Sequence, residues 1–198
     1  MTWALKTLPA LPVSALRRLV NYGLRYGSSL GIFLFVLIGI HLWQTKDFQS
    51  NGLPAAFAQT EFVLLEPNGQ ARTVLIKDLI AELRAENPSR PVALYLWAEW
   101  CSICKIQESS LQSLHQDHSV VSVAVQSGGP ERVSQVLKDR SLSLRTLVDP
   151  SGQWLSELGL RAVPSFMVIN ERNELDWVTV GYTTEIGMRL RLWLDQIF

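Results

Sequence analysis

A run of apolar residues leads directly into the two cysteines of this chain. Residues 91–98 are nearly all apolar, which is typical of a strand buried on both faces of a sheet. Cys101 and Cys104 follow, separated by two residues in a CxxC motif, and there is no third cysteine with which either could form another bridge. The sequence therefore predicts a buried strand that leads directly into two thiols, and two thiols at this spacing suit redox chemistry or half of a metal site.

A second apolar run, near the amino terminus, predicts a transmembrane helix. Residues 26–45 carry no charge, and at about 1.5 Å per residue they span roughly 30 Å, the thickness of a bilayer's hydrocarbon core. Residues 1–25 contain four basic residues and no acidic one. The positive-inside rule then predicts an amino terminus in the cytoplasm.

These features divide the chain into four predicted segments. They are a cytoplasmic segment (1–25), a transmembrane signal anchor (26–45), a linker (46–59) and an exported domain (60–198). The sequence Ala56-Phe57-Ala58 resembles a signal-peptidase site, but it lies too far beyond the apolar run to favour cleavage. We therefore predict a single-pass protein of the inner (cytoplasmic) membrane whose domain lies outside the cytoplasm, which means the periplasm if the organism is a Gram-negative bacterium. Contact with the lipid bilayer is expected through residues 26–45.

The charge balance argues against nucleic acid as a partner. The chain has 18 basic and 18 acidic residues, so its formal net charge is zero. No overall positive field would attract a polyanion.

Residues 60–198 alternate between strand and helix patterns. Two strands flank the turn at Pro67-Asn68-Gly69-Gln70 and predict an amino-terminal β-hairpin. Helices and further strands then alternate, which predicts an α/β fold: a mixed central sheet with helices on both faces. The last helix begins near Thr184, and we expect one apolar stripe to pack it on the sheet. That stripe consists of Ile186, Leu190, Trp193, Leu194 and Ile197. Trp154, Trp177 and Trp193 are predicted core residues.

The position of the cysteines predicts different roles for them. Cys101 lies where strand gives way to helix, so its sulfur faces unpaired N–H groups and the positive end of the helix dipole, which lower the pKa of a thiol. It is the expected nucleophile. Cys104 lies one turn into the helix and is the expected resolving thiol, more buried than Cys101.

Two stretches resemble the thioredoxin family. Residues 97–105, WAEWCSICK, resemble the active-site stretch of thioredoxins, and residues 161–166, RAVPSF, resemble their second signature before a strand. The resemblance implies a thioredoxin fold with an additional helix and strand inserted after the cysteines. It also implies a redox-active disulfide between Cys101 and Cys104, a cis-Pro164 facing it, and substrate positioning by Trp100, Val163 and Pro164.

Within the family, the anchor and the insertion resemble the TlpA-like and suppressor-of-copper-sensitivity oxidoreductases. This resemblance implies exchange with protein thiols and disulfides, electrons supplied by a membrane carrier, and no cofactor or metal. Tyr95 stands where thioredoxins have a buried aspartate, and Gln107 where many relatives have an acid. Glu99 and Glu108 are expected to be solvated surface charges.

Several alternatives remain open from the sequence. The two thiolates could bind copper(I), because soft thiolates select that ion. His115 and His118 suggest a zinc site, but about 16 Å of helix would separate them from Cys104. The protein could also act as an oxidant, or its disulfide could be purely structural; our hypothesis is a reductant.

Overall fold

The computed structural model describes residues 29, 31–33, 35–36, 58–88 and 90–197. The chain divides into two compact units, 1–43 and 44–198. The described residues of the first unit are helical and exposed. Among all described residues, no helix combines the length and apolar character needed to cross a membrane. The predicted cytoplasmic segment 1–25, most of the predicted anchor 26–45 and most of the linker 46–59 lie outside the described residues.

The second unit has a seven-stranded mixed sheet and five helices in its described part. In chain order the elements are β1 (Glu61–Leu65), β2 (Ala71–Leu75), α1 (Ile76–Glu86), β3 (Val92–Trp97), α2 (Ser102–Asp117), β4 (Ser119–Val125), α3 (Pro130–Asp139), β5 (Arg145–Asp149), α4 (Gln153–Glu157), β6 (Ser165–Ile169), β7 (Leu175–Val180) and α5 (Glu185–Ile197). The strand order is β2-β1-β5-β4-β3-β6-β7. The predicted hairpin, β1 and β2, and the predicted inserted helix and strand, α3 and β5, are confirmed.

The strand before the cysteines lies in the interior of this sheet, next to the middle strand β4. β3 pairs in parallel with β4 and antiparallel with β6, and all six of its residues are buried. Burial on both faces explains why the strand is apolar throughout rather than alternating. This position holds the carboxyl end of β3, and the cysteines that follow it, on a rigid support.

Helices cover both faces of the sheet, as predicted. Tyr95 of β3 and Leu65 of β1 are linked by direct cross-strand pairs through the strands between them, so their side chains lie on the same face of the sheet. On that face Tyr95 lines a cavity that residues of α2 also line. Phe62 precedes Leu65 by three residues and so points to the opposite face. There its ring packs on Trp154 of α4, with 5.5 Å between the ring centroids.

The prediction of which face of the last helix is buried is wrong. Met188 and Leu192 of α5 are fully buried, whereas Ile186, Leu190, Trp193 and Ile197 are exposed; Leu194 is half-buried. Two apolar stripes run along this helix, and the periodicity of the sequence identifies both without showing which one meets the domain. Contacts with α2 decide the orientation, because Arg189 forms an ion pair with Asp117.

The predicted burial of the tryptophans is correct for one of three. Trp154 is fully buried, but Trp177 is 37% exposed and Trp193 is 55% exposed. Trp177 has a φ of 54°, and the ladder between β6 and β7 is irregular at Phe166 and Val168. A bulge of this kind re-aims the side chain of an edge strand, and strand periodicity does not reveal it.

Candidate active site

Cys101 is the amino-terminal cap of α2. After β3 a short turn brings the backbone N–H of Cys101 to the carbonyl of Ala98, at 3.1 Å, and Cys101 itself has an extended backbone. Its Sγ accepts a hydrogen bond of 3.0 Å from the backbone N–H of Cys104. The positive end of α2 therefore acts on this sulfur, which favours the thiolate when the pair is reduced.

The two sulfurs are bonded to each other and differ in exposure. Cys101 and Cys104 form a disulfide, and their side chains are 7% and 1% exposed. Since Cys101 ends the turn while Cys104 lies one turn inside the helix, a molecule approaching from solvent reaches Cys101 first.

A second loop faces the disulfide. The Val163–Pro164 peptide bond is cis, and the carbonyl oxygen of Val163 lies 3.8 Å from Sγ of Cys101. The loop is held on both sides, since the carbonyl of Pro164 accepts from the N–H of Gly181 at 2.7 Å and the hydroxyl of Ser165 donates to the carbonyl of Ala162. Backbone of the loop therefore lies beside the more accessible sulfur.

Trp100 forms an exposed apolar rim next to the motif. Its side chain is 64% exposed, and its indole N–H donates to the carbonyl of Gln126 at 3.2 Å. Ile103, inside the motif, is 48% exposed. An apolar rim beside the disulfide suits contact with a polypeptide, because aromatic side chains contribute most to the binding energy of such contacts.

The expectation of a solvated surface charge is wrong for Glu108, whereas Glu99 stays at the surface in an ion pair with an exposed arginine. Glu108 forms an ion pair of 2.6 Å with Arg140, and the two side chains are only 17% and 15% exposed. Arg140 also donates to the backbone carbonyl of Glu99 at 2.9 Å, and its guanidinium lies 5.9 Å from the ring centroid of Trp97. The carboxylate of Glu99 is paired with Arg132. Both acids are thus fixed by arginines that follow β4.

Glu108 lies beside the cysteine pair, a position that the expectation of a surface charge did not give it. It lines one small cavity, of about 10 Å³, together with Cys104, Tyr95 and apolar side chains. The signal was available, since Glu108 lies four residues after Cys104 and residues at i and i+4 share a helix face. The hydroxyl of Tyr95 is buried there without a hydrogen-bond partner in the described part of the chain. Burial, and to a lesser extent the charge of Glu108, raises the pKa of Tyr95.

Gln107 is buried between α2 and α5 and has partners there for its side-chain amide. It is fully buried, its side-chain carbonyl accepts from the N–H of Thr183 at 3.4 Å, and its amide nitrogen lies 3.7 Å from Sδ of Met188. It thereby ties α2 to α5. A neutral amide satisfies these partners without the cost of burying a charge.

The two histidines lie at the other end of α2 from the cysteines. His115 and His118 line a separate cavity of about 290 Å³ together with Glu66 and Glu86. Burial lowers the pKa of both histidines, helped by Arg145 near His115 and by Arg189 near His118. The structure therefore does not bring the histidines and cysteines together, and among the described residues no group of His, Cys, Asp or Glu has the arrangement of a metal site.

The fold and the bonded cysteine pair define a thioredoxin-like thiol-disulfide oxidoreductase. The chain belongs to the AhpC/TSA family, whose model matches residues 60–178. It is 28% identical over 117 residues to a thioredoxin-like protein of Haemophilus influenzae, covering 59% of this chain and 70% of the relative. It is 29% identical over 167 residues to the thiol-disulfide oxidoreductase ResA of Halalkalibacterium halodurans, covering 81% and 89%.

A solved structure confirms the fold. The exposed lipoprotein thioredoxin Etrx1 of Streptococcus pneumoniae superposes with a TM-score of 0.55 at 21% identity, covering 68% of this chain and 99% of that chain. The predicted thioredoxin fold is therefore correct for the second unit.

Proposed function

We propose that this protein is a membrane-tethered oxidoreductase that reduces disulfides of other proteins outside the cytoplasm. One observation carries the proposal: the more accessible sulfur, Cys101, caps α2 and lies 3.8 Å from the carbonyl of Val163, beside an exposed Trp100. An attacking thiolate needs stabilisation, access and a surface that holds the substrate, and this geometry supplies all three.

The proposed reaction has two exchanges. The thiolate of Cys101 attacks one sulfur of a substrate disulfide, forming a mixed disulfide and releasing the first substrate sulfur as a thiolate. The thiolate of Cys104 then attacks Sγ of Cys101, forming the Cys101–Cys104 disulfide and releasing the second substrate sulfur. Two electrons pass from the protein to the substrate, and both substrate thiolates take up protons.

Substrate positioning is assigned to Trp100, Val163 and Pro164. An extended segment of the substrate would pair with the backbone of Val163, as in strand addition. The 3.8 Å between the Val163 carbonyl oxygen and Sγ of Cys101 supports this assignment, because it puts the backbone of this loop beside the attacking sulfur. The indole of Trp100 would cover an apolar residue next to the substrate sulfur.

The location and the electron donor belong to the same proposal. The uncharged residues 26–45 and the basic residues 1–25 support an anchor with its amino terminus in the cytoplasm. The likeness to an exposed lipoprotein thioredoxin supports a domain outside the cytoplasm. A second dithiol protein in the same membrane would return the pair to its reduced state, since a tether keeps the two proteins in one plane.

Trapping of covalent partners tests the assignment of roles. The full-length Cys104→Ala variant is expected to accumulate mixed disulfides through Cys101, seen as high-mass bands that disappear on reduction. Cys101→Ala is the matched control, because it also retains one thiol but should form no such bands. Equal trapping by both variants, or none by either, would reject the proposed division of roles.

The direction of electron flow is tested by the redox state in cells. Acid quenching followed by alkylation with a mass-adding maleimide is expected to show most of the wild-type pair reduced. Removal of the membrane electron donor should shift the pair to the oxidised form. A pair that is fully oxidised in otherwise normal cells would reject the reductant role and support an oxidant.

A further inference from the structure

The outer face of α5 carries an apolar stripe that the domain does not cover. The side chains of Ile186, Leu190, Trp193 and Ile197 are 80%, 50%, 55% and 54% exposed. The same helix buries Met188 and Leu192 against the domain. A helix that is apolar on two opposite faces is usually buried on both.

The spacing of the stripe is that of a helix-pairing seam. The four residues are separated by four, three and four positions, which is the a/d repeat of a two-stranded coiled coil. Met188 and Leu192 then occupy positions f and c, on the side away from the seam, which agrees with their burial in the domain. The stripe is narrow and regular, as expected for contact with another helix.

The exposed area suits a modest interface. The four side chains together expose roughly 500 Å², about the size of the largest apolar patch on a typical monomer. Two such patches would bury about 1,000 Å², at the lower end for a specific interface. Trp193, near the middle of the stripe, is the residue type that most often dominates binding energy.

We propose that α5 pairs antiparallel with α5 of a second copy of this chain, across a two-fold axis. Leu190 of one copy then meets Trp193 of the other, and Ile186 meets Ile197, so that every seam position has an apolar partner. At the edges of the seam, Arg189 faces Gln196 of the second copy rather than a like charge. Within its own chain Arg189 is already paired with Glu185 and Asp117, which keeps this edge electrically neutral.

A lipid surface fits the same stripe less well. Helices that lie on membranes usually carry several Lys or Arg residues along their polar face. The polar side chains of α5 that reach solvent are Glu185, Arg189, Asp195 and Gln196; its other arginine, Arg191, is buried, and the helix contains no lysine. This mixture of charges gives no net electrostatic attraction to anionic lipid. Pairing with a second copy does not require such an attraction, because its contacts are apolar.

Photocrosslinking in membranes identifies what covers the stripe. The full-length chain with p-benzoylphenylalanine at position 190 is expected to give a product of twice the monomer mass. Mass spectrometry should map the link to α5 of the second copy, near Trp193. Adducts to lipid, adducts to a different protein, or no adduct would each overturn the proposal.

Substitution at the seam measures its contribution. Trp193→Glu and Ile186→Glu are each expected to weaken self-association at least tenfold, as judged by sedimentation equilibrium of the full-length chain in detergent. The control is Ile106→Glu, an isoleucine of α2 that is 68% exposed but lies off the stripe, and it should associate like the wild type. A cooperative urea-unfolding transition would show that each variant is folded. Wild-type association of the folded seam variants would overturn the proposal even if exchange with protein substrates persists.

Discussion

Glu108 and Arg140 form an ion pair on the helix face that also carries Cys104. Because Glu108 lies at i+4 from Cys104 and lines the same cavity, its negative charge opposes ionisation of the reduced Cys104 thiol, and Arg140 offsets that effect. Glu108→Gln removes the anion and leaves the cation, so the thiolate fraction of Cys104 at pH 7 should rise about tenfold. Arg140→Met leaves the Glu108 anion without its cationic partner and should lower the thiolate fraction of Cys104.

The pH dependence of alkylation, measured in a Cys101→Ala background, checks these opposite shifts. Glu99→Gln is the matched control, because that carboxylate is paired with Arg132 and does not line the cavity. Shifts of the same sign in both variants would mean that structural damage, and not charge, changes the reactivity of Cys104.

At the scale of residues, the sequence predicted the groups that local chain geometry controls. Cys101 and Cys104 follow a buried strand, so their position at the start of a helix could be derived from apolar pattern and spacing alone. The pairing of Glu108 with Arg140 could not, because residues 32 positions apart along the chain meet only after β4 and α3 have packed. The exposure of an acid therefore depends on a partner that periodicity does not identify.

At the scale of elements, the carboxyl end of α5 contains an unfavourable charge. Burial, followed by the neighbouring Asp176 and Glu171, raises the pKa of Asp195 to about 6. A negative charge in the last turn is also opposed by the helix dipole. Since the folded pKa exceeds that of the unfolded chain, about 3.9, the folded state binds an extra proton between these values. Stability is therefore lost as the pH rises from about 4 to 6.

Asp195→Asn should remove the loss of stability that occurs as the pH rises. The variant is expected to be about 1 kcal/mol more stable than wild type at pH 7.5, after allowance for solvent screening, and equal to it at pH 4. Urea unfolding of the full-length chain in detergent at both pH values measures the difference. Asp139→Asn is the control, since Asp139 ends α3 but is exposed. A gain for Asp195→Asn that is the same at both pH values would contradict the proposed protonation.

The faces of elements were harder to predict than the elements themselves. Every strand and helix predicted in residues 60–198 is present, because hydrophobic period, turn residues and proline are local signals. The orientation of α5 depends on Gln107 and Asp117 of α2, which select Met188 and Leu192 for burial. A helix with two apolar faces needs such tertiary contacts to choose between them.

At the scale of the whole molecule, the order of elements constrained the fold strongly. A hairpin followed by alternating helices and strands leaves few ways to build one mixed sheet, and the interior position of β3 agrees with its burial on both faces. The irregular β6–β7 ladder that exposes Trp177 was not predictable, because it arises where two strands pair.

The proposed attachment to a membrane also belongs to the whole molecule, and the uncharged run 26–45 makes it testable. Leu34→Arg combined with Leu37→Arg puts two charges near the middle of that run, each at a cost of about 3 kcal/mol for insertion. The double variant should leave the membrane pellet on extraction at alkaline pH, whereas the wild type should remain. Leu5→Arg with Leu8→Arg, outside the run, is the matched control and should remain as well.

The mass of the membrane-bound wild-type chain tests the alternative of cleavage. A protein that keeps its anchor retains residues 1–58, whereas cleavage after Ala58 would remove them and release the domain from the membrane. Retention of the double arginine variant in the pellet would contradict an anchor at 26–45, because the domain would then be held there by another surface. If crosslinking at position 190 then gave lipid adducts, that surface would be the stripe on α5, and the anchor and the dimer would fail together.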